Sequence, residues 1–185
     1  LHDTIDASIR LSTKLSDTAA PLLTKMRQSP YNSADTLAAK FMITNLKAEP
    51  LANSMDILQR LYTYQNSDGG FGYFPGSIQS DPYLSAYILF CLQSRTNQVT
   101  LDQYVGNQLK TYLTQYLNAA NDTLTPELER SFTSLGRDEA NEKLRHVLNT
   151  KAYIAFVLSE GGDKTVNIQN LYDRRADFPL ISQGY

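Results

Sequence analysis

The stretch of this sequence best suited to chemistry is a glycine-rich string, Gln65-Asn66-Ser67-Asp68-Gly69-Gly70-Phe71-Gly72-Tyr73-Phe74-Pro75-Gly76. Glycine-rich loops ahead of a helix can cradle a phosphate, because they bring backbone N–H groups close to an anion. This string is poorly built for that. No Lys-Ser or Lys-Thr follows it, and the next helix opens on Asp81, whose charge repels a phosphate. A structural turn fits better: the glycines take positive φ without steric penalty, and Asp68 can accept from backbone N–H groups ahead of it. Phe71, Tyr73 and Phe74 can then fill the gap between neighbouring helix ends. Other reactive groups are sparse. The single cysteine, Cys91, stands among Leu89, Phe90 and Leu92 and reads as a small buried hydrophobe rather than a nucleophile. His2, His146 and Cys91, with no Asp-x-Cys anywhere, offer no converging zinc set. Asp138, Glu139 and Glu142 interleave with Arg137, Lys143 and Arg145, the pattern of a solvated helix face. No Gly-x-Ser-x-Gly elbow supports a Ser-His-Asp triad.

These residues must be held by a fold, and composition limits which. With 185 residues, 42% of them hydrophobic, the chain can bury the core of one globular domain. A formal net charge of −2 and the lack of a Lys/Arg block argue against a nucleic-acid partner. No apolar run approaches the roughly 20 residues that cross a bilayer. One Cys excludes an intrachain disulfide. Twelve Tyr accompany seven Phe and no Trp. Several of them, such as Tyr62, Tyr87 and Tyr153, lie in apolar stretches, where a ring lines a core and its hydroxyl reaches a partner or water.

Read along the chain, Ile5, Ala7, Ile9, Leu11 and Leu15 alternate with polar residues, which predicts an extended arm or edge strand over 1–16. Helical domain structure is expected over 17–185. Asp17 reads as an N-cap, and Pro30 ends that first helix. Ser33 or Asp35 caps the next, with Leu37, Phe41, Ile43 and Leu46 inside it. A third helix is expected over 51–65, then the glycine loop to Ser80. Asp81-Pro82 reads as N-cap and first helical residue. The helix over 82–93 is apolar on most of its circumference, so it is buried on nearly all sides. A more polar helix follows over 101–117, and a short amphipathic one over 126–134. A second all-round apolar helix is expected at 152–158, stopped by Gly161-Gly162. His146 falls just before it, as a surface or capping residue. A short outer helix covers 166–175. Ile181–Tyr185 reads as the start of another, so the sequence is expected to be a piece of a longer chain. Alternation of amphipathic and fully apolar helices predicts two concentric layers, an inner one that sees no water and an outer one that does.

The order of three motifs resembles a known family. Gln-x-x-Asp-Gly-Gly-Phe-Gly at 65–72, with Pro75-Gly76 and Asp81-Pro82-Tyr83-Leu84-Ser85-Ala86-Tyr87, looks like the signature of α/α-toroid proteins. Two branches share it: the thioester domain of alpha-2-macroglobulins and complement proteins, and the prenyltransferase and terpene-cyclase group. The upstream segment favours the first. Bacterial macroglobulins carry Leu-Ser, a helix, then Pro-Tyr-Gly-Cys-x-Glu-Gln; this chain has Leu11-Ser12, a helix, then Pro30-Tyr31-Asn32-Ser33-Ala34-Asp35-Thr36. Leu171-Tyr172-Asp173-Arg174-Arg175 also resembles the family's Leu-Tyr-Glu-Arg-Arg.

By that resemblance the chain is an incomplete, all-α, α/α toroid from a bacterial-type thioester domain. Ser33 stands where the family has the thioester cysteine, Asp35 at the glutamate and Thr36 at the glutamine. A thioester joins a Cys sulfur to a Gln carboxamide carbon; neither group is present here, so that bond cannot form. The resemblance implies a thioester-less scaffold in a protease inhibitor, one that collapses around a protease after a bait segment is cut. It implies no enzyme activity and no cofactor or metal. Proteases met through the parent and neighbouring domains of the same chain are the expected partners. The implied location is extracytoplasmic: periplasmic, on a surface lipoprotein, or secreted. Two alternatives stand beside it. An isoprenoid-processing enzyme would need a zinc or Asp-rich metal site. An interaction module would use exposed Tyr73, Phe74 and Ile78 as its patch, while Asp68, Gly69, Gly70, Phe71 and Gly72 serve as a structural turn.

Overall fold

A computed structural model describes residues 30–46, 51–93, 101–119, 137–163 and 168–173, together with Thr24, Lys25, Gln28 and Val166. The expected arm over 1–16, the short helix over 126–134 and the new helix at 181–185 lie outside the described residues. The chain divides into two compact units, Leu1–Tyr31 and Asn32–Tyr185. In the first, Thr24, Lys25 and Gln28 are helical and exposed.

The second unit is all-α among its described residues. Its helices are α1 (Ala34–Leu46), α2 (Leu51–Tyr62), α3 (Pro82–Gln93), α4 (Gln103–Asn118), α5 (Arg137–Glu160) and α6 (Gln169–Asp173). No strand occurs among the described residues; one antiparallel bridge pairs Gln65 with Phe71. Packing follows burial. In α1 the consecutive residues Leu37, Ala38, Ala39, Lys40, Phe41, and then Ile43 and Thr44, are all buried, so burial runs round the helix rather than along one stripe. In α3 burial likewise runs round the helix, through Leu84, Ser85, Ala86, Ile88, Leu89, Cys91 and Leu92, with Tyr83 exposed in its first turn. In α2 and α4, by contrast, burial falls on one stripe: Ser54, Leu58 and Leu61, and Leu109, Leu113 and Leu117. Accordingly α1 packs on α3 and α3 on α5, while α2 lies on α1, α4 on α3 and α5, and α6 on α5. Inner helices α1, α3 and α5 thus alternate along the chain with outer helices α2, α4 and α6.

Element ends follow local chemistry. The Asp102 carboxylate accepts from Tyr104 N at 2.8 Å and starts α4. The α5 end closes with Gly162 at φ +81°, and Asp163 N donates back to Leu158 O at 3.1 Å. Helix α2 ends at Tyr62, three residues short of the sequence expectation, because Thr63, Tyr64 and Gln65 turn back onto Arg60, Leu61 and Tyr62 carbonyls. The larger difference is α5. The polar stretch at 137–145 and the apolar one at 152–158 form one 24-residue helix. His146 is an exposed residue inside it, whose carbonyl accepts from Thr150 Oγ1 at 2.9 Å. Glu142, Lys143, Arg145 and His146 are exposed; burial becomes nearly continuous from Thr150, where Thr150, Lys151, Ile154, Ala155, Val157 and Leu158 are all buried. Lys151 is the charged residue in that run, and it donates to the Ala119 carbonyl at the C-terminal end of α4, where a helix dipole favours a cation.

Candidate functional site

The glycine string and the start of α1 come together. Ala34 N donates to Tyr73 O at 3.0 Å, and the Tyr64 hydroxyl donates to Asn32 O. Both contacts tie the residues that carry the thioester resemblance to the glycine turn.

At the helix start, Ser33 holds the N-cap position: its carbonyl accepts from Leu37 N at 2.9 Å. Its Oγ lies 2.9 Å from Thr36 Oγ1 in a hydroxyl–hydroxyl hydrogen bond. Residues three apart share a helix face, so Ser33 and Thr36 meet across the first turn. Asp35 lies between them in sequence, with Oδ1 buried and without a hydrogen-bond partner among the described residues.

The turn itself is densely bonded. Gly69 N donates to Asn66 O at 3.0 Å and Asn66 N to Gly70 O at 2.8 Å. Asp68 Oδ1 accepts from Gly70 N at 3.0 Å and from Ser80 Oγ at 2.7 Å. Asn66 Nδ2 donates to Ser80 Oγ at 3.0 Å, and Gln65 Nε2 bridges the carbonyls of Gly69 and Val105. Gly69 sits at φ +89°, and a Cβ there would lie 2.5 Å from Gln108 O, so both conformation and space demand glycine. Phe71 is fully buried, its N–H donating to Ser85 Oγ at 2.9 Å and its carbonyl accepting from Asp81 N at 2.9 Å. Asp81 then caps α3 by accepting from Leu84 N at 2.7 Å.

Of the three aromatics expected between helix ends, only Phe71 is inside. Tyr73 and Phe74 are exposed, and Ile78 is 99% exposed. Further tyrosines line the same helices. The Tyr83 ring on α3 packs against Tyr153 on α5 with centroids 5.0 Å apart. Tyr112 donates to Ser80 O at 3.3 Å; only its place beside the buried α4 stripe signalled it. Tyr73, Tyr87 and Tyr112 all have hydroxyl pKa values raised, first by burial and then by neighbouring charge. At Tyr73 the charges are those of Asp81 and Asp35, and at Tyr112 those of Asp68 and Asp81; at Tyr87 the neighbouring Cys91 thiol comes next after burial, and Asp35 contributes least. Cys91 is fully buried, and burial pushes its thiol up to about 11 despite a hydrogen bond with Tyr87. Such a thiol is inert as a nucleophile at neutral pH. Among the described residues no group of three or more His, Cys, Asp or Glu could hold a metal ion. No helix among them is long and apolar enough to cross a membrane.

No family model matches the sequence. A curated alpha-2-macroglobulin homolog from Nostoc sp. is 31% identical over 153 residues, which is 80% of this chain and 7% of that protein. The chain therefore spans a small fraction of this relative's length. A crystal structure of native alpha-2-macroglobulin from Escherichia coli, spanning domain MG7 to the C-terminus, matches with a TM-score of 0.68 at 18% identity. That match covers 89% of this chain and 27% of the solved one, and at such identity it speaks for the fold. With the sequence identity and the all-helical fold in agreement, the chain is a domain of the alpha-2-macroglobulin family.

Proposed function

We propose that this domain is a non-catalytic, thioester-less scaffold within an alpha-2-macroglobulin-like protease trap. The observation that carries the reading is the Ser33–Thr36 pair. Two hydroxyls joined at 2.9 Å occupy the positions where the family's motif places a sulfur and a carboxamide. A hydroxyl pair can be a cap but cannot store an acyl group as a thioester. Capture by the parent then depends on mechanical enclosure after bait cleavage, with this domain as part of the moving body. Its partners in that role are a protease and neighbouring domains of the same chain, in an extracytoplasmic setting.

Methylamine treatment followed by intact mass tests the loss of the thioester. The expected mass is unchanged, with no new thiol; a methylamide adduct would overturn the proposal. Exposure of the full-length parent to a protease tests the trap. The protease should co-elute with the parent under native conditions and separate from it completely in SDS.

A second reading, an interaction module, draws on the exposure of Tyr73, Phe74 and Ile78. It predicts a partner whose binding is lost on changing Tyr73 or Phe74 while protease capture by the parent is unaffected.

A further inference from the structure

The joint between α3 and α5 carries a row of aromatic rings. Tyr83, in the first turn of α3, meets Tyr153 of α5 with ring centroids 5.0 Å apart and planes tilted by 31°. That separation lies toward the close end of the range for aromatic pairs. Tyr153 also meets Phe156 at 6.5 Å, and Phe156 meets Phe90 at 6.4 Å. Each of these further pairs includes a phenylalanine, which has no phenol. Tyr83 and Tyr153 thus bring two phenols into contact across two helices. Tyr83 is 47% exposed, and Tyr153 behind it is half-buried.

Two touching phenols have a chemistry that neither has alone. A one-electron oxidant takes an electron and a proton from the Tyr83 hydroxyl and leaves a phenoxyl radical, with unpaired spin on the ring carbons ortho to oxygen. Tyr153, in contact, refills that hole by giving up its own electron and proton, so the half-buried ring is oxidised through the exposed one. A second oxidation of Tyr83 leaves two radicals side by side. Their ortho carbons join in one C–C bond. Each ring then loses its ortho hydrogen as a proton while its oxygen regains one. The net change is the loss of two electrons and two protons, which reduce one hydrogen peroxide to two waters when a haem peroxidase is the oxidant. Holding the two rings together in the fold replaces a bimolecular encounter with a local one.

We propose that Tyr83 and Tyr153 form an oxidative crosslinking site: peroxide, acting through a haem peroxidase, joins them as an intrachain dityrosine that fastens α3 to α5. Tyr31, Tyr104 and Tyr172 are more exposed than Tyr83, so contact rather than accessibility decides which rings join. The new bond links residues far apart in the chain. Like a disulfide, it restricts the unfolded ensemble and stabilises the fold. This chemistry is independent of the Ser33–Thr36 pair, and it stands whether or not the parent traps proteases.

The test treats the purified chain, at low concentration, with a haem peroxidase and hydrogen peroxide, then isolates the monomer by gel filtration. The expected product has an intact mass lower by two hydrogens and the blue fluorescence of dityrosine. Its peptide map should join the segments that hold Tyr83 and Tyr153, and its urea midpoint should exceed that of the untreated chain. Tyr83→Phe and Tyr153→Phe each keep the ring and remove one phenol. With native helix content confirmed by circular dichroism, both should lose the crosslinked monomer. The same treatment in urea, where the contact is gone, should also abolish the Tyr83–Tyr153 product. A crosslinked monomer that persists in folded Tyr83→Phe would overturn the proposal. So would intrachain coupling mapped to other tyrosines, dityrosine between molecules only, no dityrosine at all, or an unchanged urea midpoint.

Discussion

The hydroxyls of Ser33 and Thr36 meet over one helical turn, and this small contact yields a strong test. If the backbone at the start of α1 retains the geometry of the family motif, the missing element is chemical identity alone. In the double variant Ser33→Cys/Thr36→Gln, the sulfur can attack the carboxamide carbon, expelling ammonia and leaving a thioester. The expected intact mass is lower than the sequence mass by one ammonia. Methylamine should then add as a methylamide and release a thiol. The single variant Ser33→Cys should show neither change. A double variant at full sequence mass, folded by circular dichroism, would mean that the start of α1 does not hold the two side chains in reacting geometry. Asp35 sharpens the point. It is one methylene shorter than glutamate, and its buried Oδ1 has no partner among the described residues.

Among the elements, the glycine turn and the cap of α3 differ in how much each position contributes. Asp81→Ala removes a cap bond of 2.7 Å to Leu84 N and should cost about 1 kcal/mol in denaturant unfolding. Gly69→Ala meets two penalties together, a φ of +89° and a Cβ only 2.5 Å from the Gln108 carbonyl oxygen. It should cost more than the cap, about 2 kcal/mol or above, or displace α4 from the turn. Equal costs for the two variants would show that the turn relaxes freely. The positions of these elements were legible because their signals are local. Asp81-Pro82 announced α3, and Gly161-Gly162 announced the end of α5. The bond from Gly70 N to Asp68 could be anticipated for the same reason. What was not legible depends on distant partners. Ser80 reaches Asp68 and Asn66 across 12 and 14 residues, and Tyr112 reaches Ser80 across 32. Helix α5 was read as two pieces because its hydration changes midway. Its first half carries Glu142, Lys143, Arg145 and His146 in water, while the second is buried. The better signal was the absence of Gly and Pro between 137 and 160, since nothing in that stretch breaks a helix.

For the whole molecule, burying several titratable groups in one core makes stability depend on alkaline pH. Cys91 is raised from its ordinary 9.0 to about 11. The folded state therefore holds the thiol proton where the unfolded chain has lost it. Proton linkage fixes the sign: with more protons bound in the fold, stability is full below pH 9 and falls as pH rises through about 11. For this one thiol the loss is of order 2–3 kcal/mol. Tyr87 and Tyr112, raised chiefly by burial, act in the same direction above their ordinary 10.0. Lys40 on α1 acts against them: desolvation, and then the Arg60 charge, lowers its pKa from 10.5. Its ammonium is disfavoured in the fold, so it adds stability as pH climbs toward that value. With Tyr73 also raised, four raised acids outweigh one lowered base. Urea unfolding at pH values from about 7 to 10.5 should show a plateau, then a decline that begins near 9. Cys91→Ala, although less stable throughout for want of the buried sulfur, should decline less steeply between pH 9 and 10, because only the tyrosines remain to drive it. A decline of equal slope in both proteins would show that Cys91 is not the buried proton carrier that its place in α3 implies. Stability rising through this range would show instead that Lys40 governs the alkaline limb.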